Sequence, residues 1–183
     1  MVERHHRRRA ERRLDFLKGR IAEALVEAMF MRAKYSVSRS GRESQLQRLF
    51  KSGRDEFLPD FMIRRAVERP GSDRPLHQLI PIEVKYRYDV SRFLKIEAAE
   101  FFQQARGWPG LCLILVTENP DTGRSCFQVV VDGNTERPNT ADLHTVTSLD
   151  IYGSTVLEYE GLGRNLFKLI EKQRSALGKI AKP

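Results

Sequence analysis

Apolar residues in this chain recur at two periods, and the change of period marks out the elements. Leu14, Leu17, Ile21, Leu25 and Ala28 fall at steps of three and four, which predicts a helix from about Leu14 to Ala33. Phe16, Glu23 and Phe30 lie on roughly the opposite face, so this helix is expected to be covered on two sides, with Glu23 in need of a partner. Tyr35–Arg39 alternates and predicts a short strand that ends at Gly41, and Ser44–Lys51 has helical spacing. Phe57–Arg64 reads as a strand with Pro59 near its start, where a missing N–H is tolerated. Leu79–Tyr88 alternates cleanly: Pro81, Glu83, Lys85 and Arg87 point one way, and Ile80, Ile82, Val84, Tyr86 and Tyr88 the other. Asp89 or Ser91 is placed to cap a helix over Ser91–Arg106, which Gly107 terminates. Leu111–Thr117 is a continuous apolar strand, and Cys126–Val131 is another after the Asn119–Gly123 turn. Residues 133–150 read as loop, Val156–Tyr159 as a strand, and Leu162–Leu177 as an amphipathic helix with Lys168, Lys172 and Arg174 outward.

The length of 183 residues fits one domain, since domains run to about 100–200 residues. A chain that is 40% hydrophobic and 31% charged has the balance of a folded protein. Its longest apolar run, Leu111–Val116, is far short of the roughly 20 residues of a membrane span. Two cysteines, Cys112 and Cys126, are too few for a disulfide scaffold, and no apolar signal core follows the first arginines, so the chain reads as cytoplasmic with no membrane partner.

Charge adds a direction. The net charge is +8, and residues 1–20 hold eight Lys/Arg against three Asp/Glu, a local +5. Residues 1–13 therefore read as a basic flexible arm, with Arg7, Arg8, Arg9, Arg12 and Arg13 suited to a polyanion, ahead of a single domain over 14–183. A solvated, frayed terminus has the same composition.

Several motifs dissolve on inspection. Asp121-Thr122-Gly123 sits in a turn that selects those residues for geometry. Gly161-Leu162-Gly163 has Leu166 where a dinucleotide fingerprint wants its third glycine. His5-His6 is embedded in arginines, and Cys112 and Cys126 sit in apolar strand contexts.

One constellation survives. Pro59-Asp60 opens one predicted strand, Glu83-Val84-Lys85 lies on the next, and 22 residues with a turn separate Asp60 from Glu83. Glu83 and Lys85 share a face about 6–7 Å apart. With Asp60 facing the same way from the neighbouring strand, its carboxylate falls about 5–8 Å from Glu83. Two hard oxygen donors and one ammonium would then share a patch, and Mg²⁺ is held by one or two carboxylates plus waters and phosphate oxygens. The plainer alternative is that Asp60 ends a turn while Glu83 and Lys85 form an exposed ladder.

Pro59-Asp60 followed by Glu83-Val84-Lys85 resembles the PD-(D/E)xK nuclease superfamily, which includes restriction endonucleases and Holliday-junction resolvases. The resemblance covers about Leu14–Thr117, and Gly19-Arg20-Ile21-Ala22-Glu23 is similar to the first-helix segment of resolvase-like members. It implies an α/β fold: a restriction-endonuclease-like α-β-β-β-α-β core over about 14–118, with a mixed central sheet flanked by helices, and β and α additions over 119–183. It implies a Mg²⁺-dependent endonuclease, with Mn²⁺ as substitute, that hydrolyses DNA by direct water attack in recombination, repair or restriction. Asp60, Glu83 and the backbone carbonyl of Val84 would be metal ligands, and Lys85 the water-positioning group. Glu23 would be an outer or second-metal ligand, with Glu27 the second choice for that role. Gln103 and Gln104 lie on the helix where some members place a site-facing Gln, and Arg64, Arg65, Arg87 and Arg92 are placed to track phosphates. DNA is the expected partner, RNA the other polyanion the charge allows, and family members are often homodimers. The competing readings are a catalytically silent nuclease-like module that binds nucleic acid within a larger complex, and a basic protein-interaction domain without a metal site.

Overall fold

The computed structural model describes residues 2–40, 57–67, 76–131 and 138–180. Helix α1 (Val2–Arg32) begins twelve residues before the expected Leu14, so the backbone of residues 2–13 is helical and continuous with it. The segment Val2–Lys18 holds neither Gly nor Pro and is rich in Arg, which favours helix. The buried stripe is Lys18, Ala22, Leu25, Val26, Met29 and Phe30, which lies between the two expected apolar faces; Phe16 and Leu17 are exposed. The helix ends in a Schellman turn: Tyr35 N–H donates to Phe30 O and Lys34 N–H to Met31 O, each at 3.0 Å. Lys34 takes the left-handed conformation with φ 65°, and the rings of Phe30 and Tyr35 supply the apolar contact that closes the motif.

Strands β1 (Ser36–Arg39), β2 (Phe61–Val67), β3 (Leu76–Tyr86), β4 (Cys112–Val116), β5 (Phe127–Val131) and β6 (Asn139–Asp142) form one six-stranded sheet in chain order. Only β3–β4 is parallel; the other pairs are antiparallel. The parallel step needs a crossover, supplied by α2 (Val90–Ile96), α3 (Ala98–Gln104) and a 3₁₀ turn at Ala105–Gly107. Asp89 caps α2 by accepting from Arg92 N–H at 2.8 Å. The single helix expected over Ser91–Arg106 is thus broken at Glu97 and turns to 3₁₀ before Gly107.

Helix α4 (Gly153–Ile180) absorbs the segment expected as a strand at Val156–Tyr159. Val156, Glu160, Gly163, Phe167 and Ile170 are buried at helical spacing, and four residues alone cannot separate the two periods. At Gly163 a Cβ would stand 3.2 Å from Leu25 Cδ1, so this glycine lets α4 approach α1 closely. The loop expected over 133–150 contains β6 and a 3₁₀ turn at Leu143–Thr145; a strand reading Asn-Thr-Ala-Asp lacks the apolar alternation that would announce it. The helix expected over Ser44–Lys51 lies outside the described residues.

The protein is therefore α/β, with a mixed sheet and helices on both faces. One core joins α1 and α4 to Phe61, Ile63, Ile82, Val84, Ile114, Val116 and Phe127. A smaller one joins Phe93 and Phe101 of the crossover to Leu113, Leu115 and Val130 on the opposite sheet face. No described helix is long and apolar enough to cross a membrane.

Candidate functional site

Sheet register brings together residues far apart in sequence. Phe61 opposes Ile82, and Arg39 opposes Phe61. One step further, Asp60 stands opposite Glu83, and Ser40 opposite Asp60, with Ser40 N–H donating to Asp60 O at 2.9 Å. Residues directly opposite share a face, so Ser40, Asp60 and Glu83 form a row across β1, β2 and β3. Lys85 lies two residues on, on the same face.

The contacts within this row are specific. Asp60 Oδ2 accepts from Val84 N–H at 2.8 Å. Lys85 Nζ donates to Glu83 Oε1 at 2.9 Å and stands 4.9 Å over the Phe101 ring. Among the described residues, Glu83 Oε2 and Ser40 Oγ are both buried without a hydrogen-bond partner, although buried polar atoms are nearly always partnered. Arg87 N–H donates to Val116 O, so the odd residues of β3 bond toward β4 and the even ones, Val84 included, toward β2. Extending the register by one more step sets Pro59 opposite Val84. Proline has no N–H to offer the Val84 carbonyl, which turns to the same edge as the Asp60 carboxylate.

Electrostatically the site carries excess negative charge. Burial, and then the charge of Asp60, push the Glu83 carboxyl up to about 7, against the pull of Lys85. Burial also raises the Asp60 carboxyl above its ordinary value, opposed by the Val84 N–H, Lys85 and Arg20. Glu23, on α1, is half-buried and raised by burial and then by Asp60; Arg20 Nη1 holds its Oε2 at 2.5 Å. Glu27 is engaged by Arg39, whose Nε donates to both its oxygens at 3.0 Å, whereas the charge of Asp60 bears on Glu23.

The remaining expected residues are dispersed. Arg87 donates twice to Glu97 Oε2, at 3.1 and 2.9 Å, and lies over Phe93. Arg65 pairs with Asp150 at 2.8 Å. Arg13, Arg64, Arg92, Gln103 and Gln104 are exposed, and Gln104 donates to Glu100 at 3.2 Å. Arg7, Arg8, Arg9 and Arg12 lie on the α1 backbone, and their side chains are outside the described set.

A second charged cluster had no sequence signal beyond a lysine at a core-facing helical position. Lys18 is 3% exposed and donates to Glu118 at 2.7 Å, Glu171 at 2.6 Å and the Tyr86 hydroxyl at 3.2 Å. It ties α1 to β3, α4 and the turn after β4. The cleft of ≈ 590 Å³ beside it includes none of Asp60, Glu83 and Lys85.

Among the described residues no three His, Cys, Asp or Glu side chains converge as a ligand cluster; the Asp60–Glu83 pair is the acidic centre. Its donor set of two hard oxygens with an orphaned buried carboxylate atom fits a divalent ion such as Mg²⁺, which takes one or two carboxylates. Compared with protein-family models, curated proteins and solved structures, the chain matches none.

Proposed function

We propose that this protein is a metal-dependent nuclease of the PD-(D/E)xK kind that hydrolyses phosphodiester bonds in DNA. The observation that carries the reading is buried Glu83 against half-buried Asp60 beside one ammonium, with Glu83 Oε2 unpartnered among the described residues and its carboxyl raised to about 7. Holding a buried carboxylate beside a half-buried one with one cation costs stability; a divalent cation bound there would offset that cost. The element order supports the reading too: a helix, three antiparallel strands, a helical crossover, and a fourth strand parallel to the third.

Asp60 and Glu83 would hold the metal, and the Val84 carbonyl is turned to the same edge. When bound, the metal supplies a Lewis acid for the phosphate and for water. The other roles belong to the chain. Lys85 donates a hydrogen bond that orients the attacking water, and its charge offsets the negative charge that builds on the phosphorane oxygens. Water oxygen bonds to phosphorus, the bond to the 3′ oxygen breaks, and the products are a 5′-phosphate and a 3′-hydroxyl. Glu23, buffered by Arg20, modulates the charge on Asp60 from α1.

The test is incubation with supercoiled, linear, branched and single-stranded DNA in Mg²⁺, Mn²⁺ or EDTA. Cleavage with Mg²⁺ or Mn²⁺ and none in EDTA is the expected result. Binding without cleavage on every substrate would replace the enzyme with a silent nucleic-acid-binding module.

A further inference from the structure

The catalytic face does not end at Glu83. Strand β4 pairs with β3 only from Ile82 onward, and β1 pairs with β2 only as far as Arg64. Beyond those points, among the described residues, β2 and β3 pair with each other alone, through Arg65↔Gln78, Ala66↔His77 and Val67↔Leu76. The result is a two-stranded ribbon, an extension of the sheet past the described ends of β1 and β4. Leu76, His77, Gln78 and Leu79 are all exposed in sequence, so neither face of β3 is covered here; Arg64 and Ala66 are exposed opposite them.

The parity of the strands decides which side chains matter. Asp60, Arg64 and Ala66 share a face of β2, and Glu83, Leu79 and His77 share the same face of β3. The face that carries the two carboxylates therefore runs on into Arg64, Leu79 and His77. His77 is six residues from Glu83, roughly 20 Å along the strand. The described ribbon holds no acidic residue between Phe61 and Val67 or between Leu76 and Ile82. Arg65 is engaged by Asp150 and stacked on Tyr35, whereas Arg64 projects from the other face.

We infer that this ribbon enters the major groove of duplex DNA next to the bond held at Asp60 and Glu83, with Arg64, His77 and Leu79 toward the bases. The inference rests on the nuclease reading for its placement and adds the substrate class and the element that recognises it. A two-stranded ribbon is one of the shapes the major groove of B-DNA admits. Arg donates to guanine O6 and N7, and an apolar side chain meets the thymine methyl. An exposed Leu between a guanidinium and an imidazole suits base edges better than a row of phosphates, which would call for cations alone. The A-form major groove of duplex RNA is too narrow for such a ribbon, so the geometry selects DNA.

The test is fluorescence anisotropy in EDTA, which removes cleavage from the readout, with a labelled DNA duplex, the same sequence as a single strand, and as duplex RNA. The variant is Arg64→Ala/Leu79→Ser, which changes two exposed side chains and is checked for folding by circular dichroism. Duplex DNA affinity should fall about tenfold or more, the value of a good base contact, and single-strand affinity should not change. Dimethyl sulfate should find guanine N7 protected by the wild type and open with Arg64→Ala. Unchanged duplex affinity in the double variant, equal loss on single strands, or wild-type binding to duplex RNA as tight as to DNA would each overturn the inference. Metal-dependent cleavage by a protein whose ribbon variants bind duplex normally would sink the ribbon and leave the nuclease reading standing. A wild type that binds duplex through the ribbon and never cleaves would do the reverse.

Discussion

Replacing Glu83 by Gln should make the protein more stable at pH 8. Glu83 is ionised in both folded and unfolded chains at that pH, but in the fold it is buried beside Asp60. Its carboxyl is raised from an ordinary 4.5 to about 7, which corresponds to about 3 kcal/mol of destabilisation above pH 7. Gln keeps an oxygen to accept from Lys85, and the weaker neutral hydrogen bond lowers the net gain to about 2 kcal/mol. For a chain of this size that raises Tm by about 4–8 °C. The pH dependence follows from the direction of the shift. Between pH 4.5 and about 7 the folded state binds more protons than the unfolded one, so the cost of Glu83 grows as pH rises through that window. It is absent below 4.5 and complete above 7, so the advantage of Glu83→Gln should vanish in acid. Urea unfolding of both proteins in EDTA at pH 5, 6, 7 and 8 measures it. A variant equal to or weaker than wild type at pH 8, or a difference that does not change with pH, would refute the electrostatic account of the site.

Three further outcomes are expected. Lys18→Met leaves half-buried Glu118 with the Tyr86 hydroxyl but without its cation, so urea unfolding should show a loss of about 3 kcal/mol, which Lys18→Met/Glu118→Gln recovers in part. Ser40→Ala removes an unpartnered buried hydroxyl, so the metal-free fold should be unchanged or stabilised. Mn²⁺ affinity by calorimetry should nevertheless fall about tenfold, as for a group that supports a metal site; unchanged affinity would remove Ser40 from the site. Deleting residues 1–13 should flatten the salt dependence of DNA binding, by close to one unit of slope for each phosphate that the arginines neutralise, and an unchanged slope would show that the basic segment does not touch DNA.

What could be read from the chain depended on how local the signal was. The alternation of β3 put Glu83 and Lys85 on one face and Ile82 and Val84 on the other, and the two cores divide along that line. The juxtaposition of Asp60 and Glu83 was a conditional inference, because it requires a register that only the sheet supplies. Ser40 was invisible for the same reason: a serine at a strand end acquires meaning only once Asp60 is opposite. In α1 the period was right and the facing wrong, since apolar residues on two sides leave the orientation to tertiary packing, and the buried Lys18 marks the true inner stripe. Val156–Tyr159 failed because a four-residue window is compatible with either period, whereas the burial spacing across α4 is helical. Arg87 looked like a phosphate contact by charge alone, and its engagement by Glu97 is a tertiary fact.

The central claim is that Asp60 and Glu83 hold a metal while Lys85 acts on the water, and two variants measured side by side test it most directly. Mn²⁺ affinity by calorimetry and cleavage of supercoiled DNA are compared for wild type, Asp60→Asn and Lys85→Ala, with Glu158→Gln as control because that carboxylate pairs with Arg32 at the surface. Lys85→Ala should bind Mn²⁺ nearly as wild type, since a protonated amine offers no lone pair, and cleave at least about a hundredfold more slowly. Asp60→Asn should lose both metal affinity and cleavage, and Glu158→Gln neither. Wild-type cleavage that persists in excess EDTA, or a Lys85→Ala protein as active as wild type, would contradict the account.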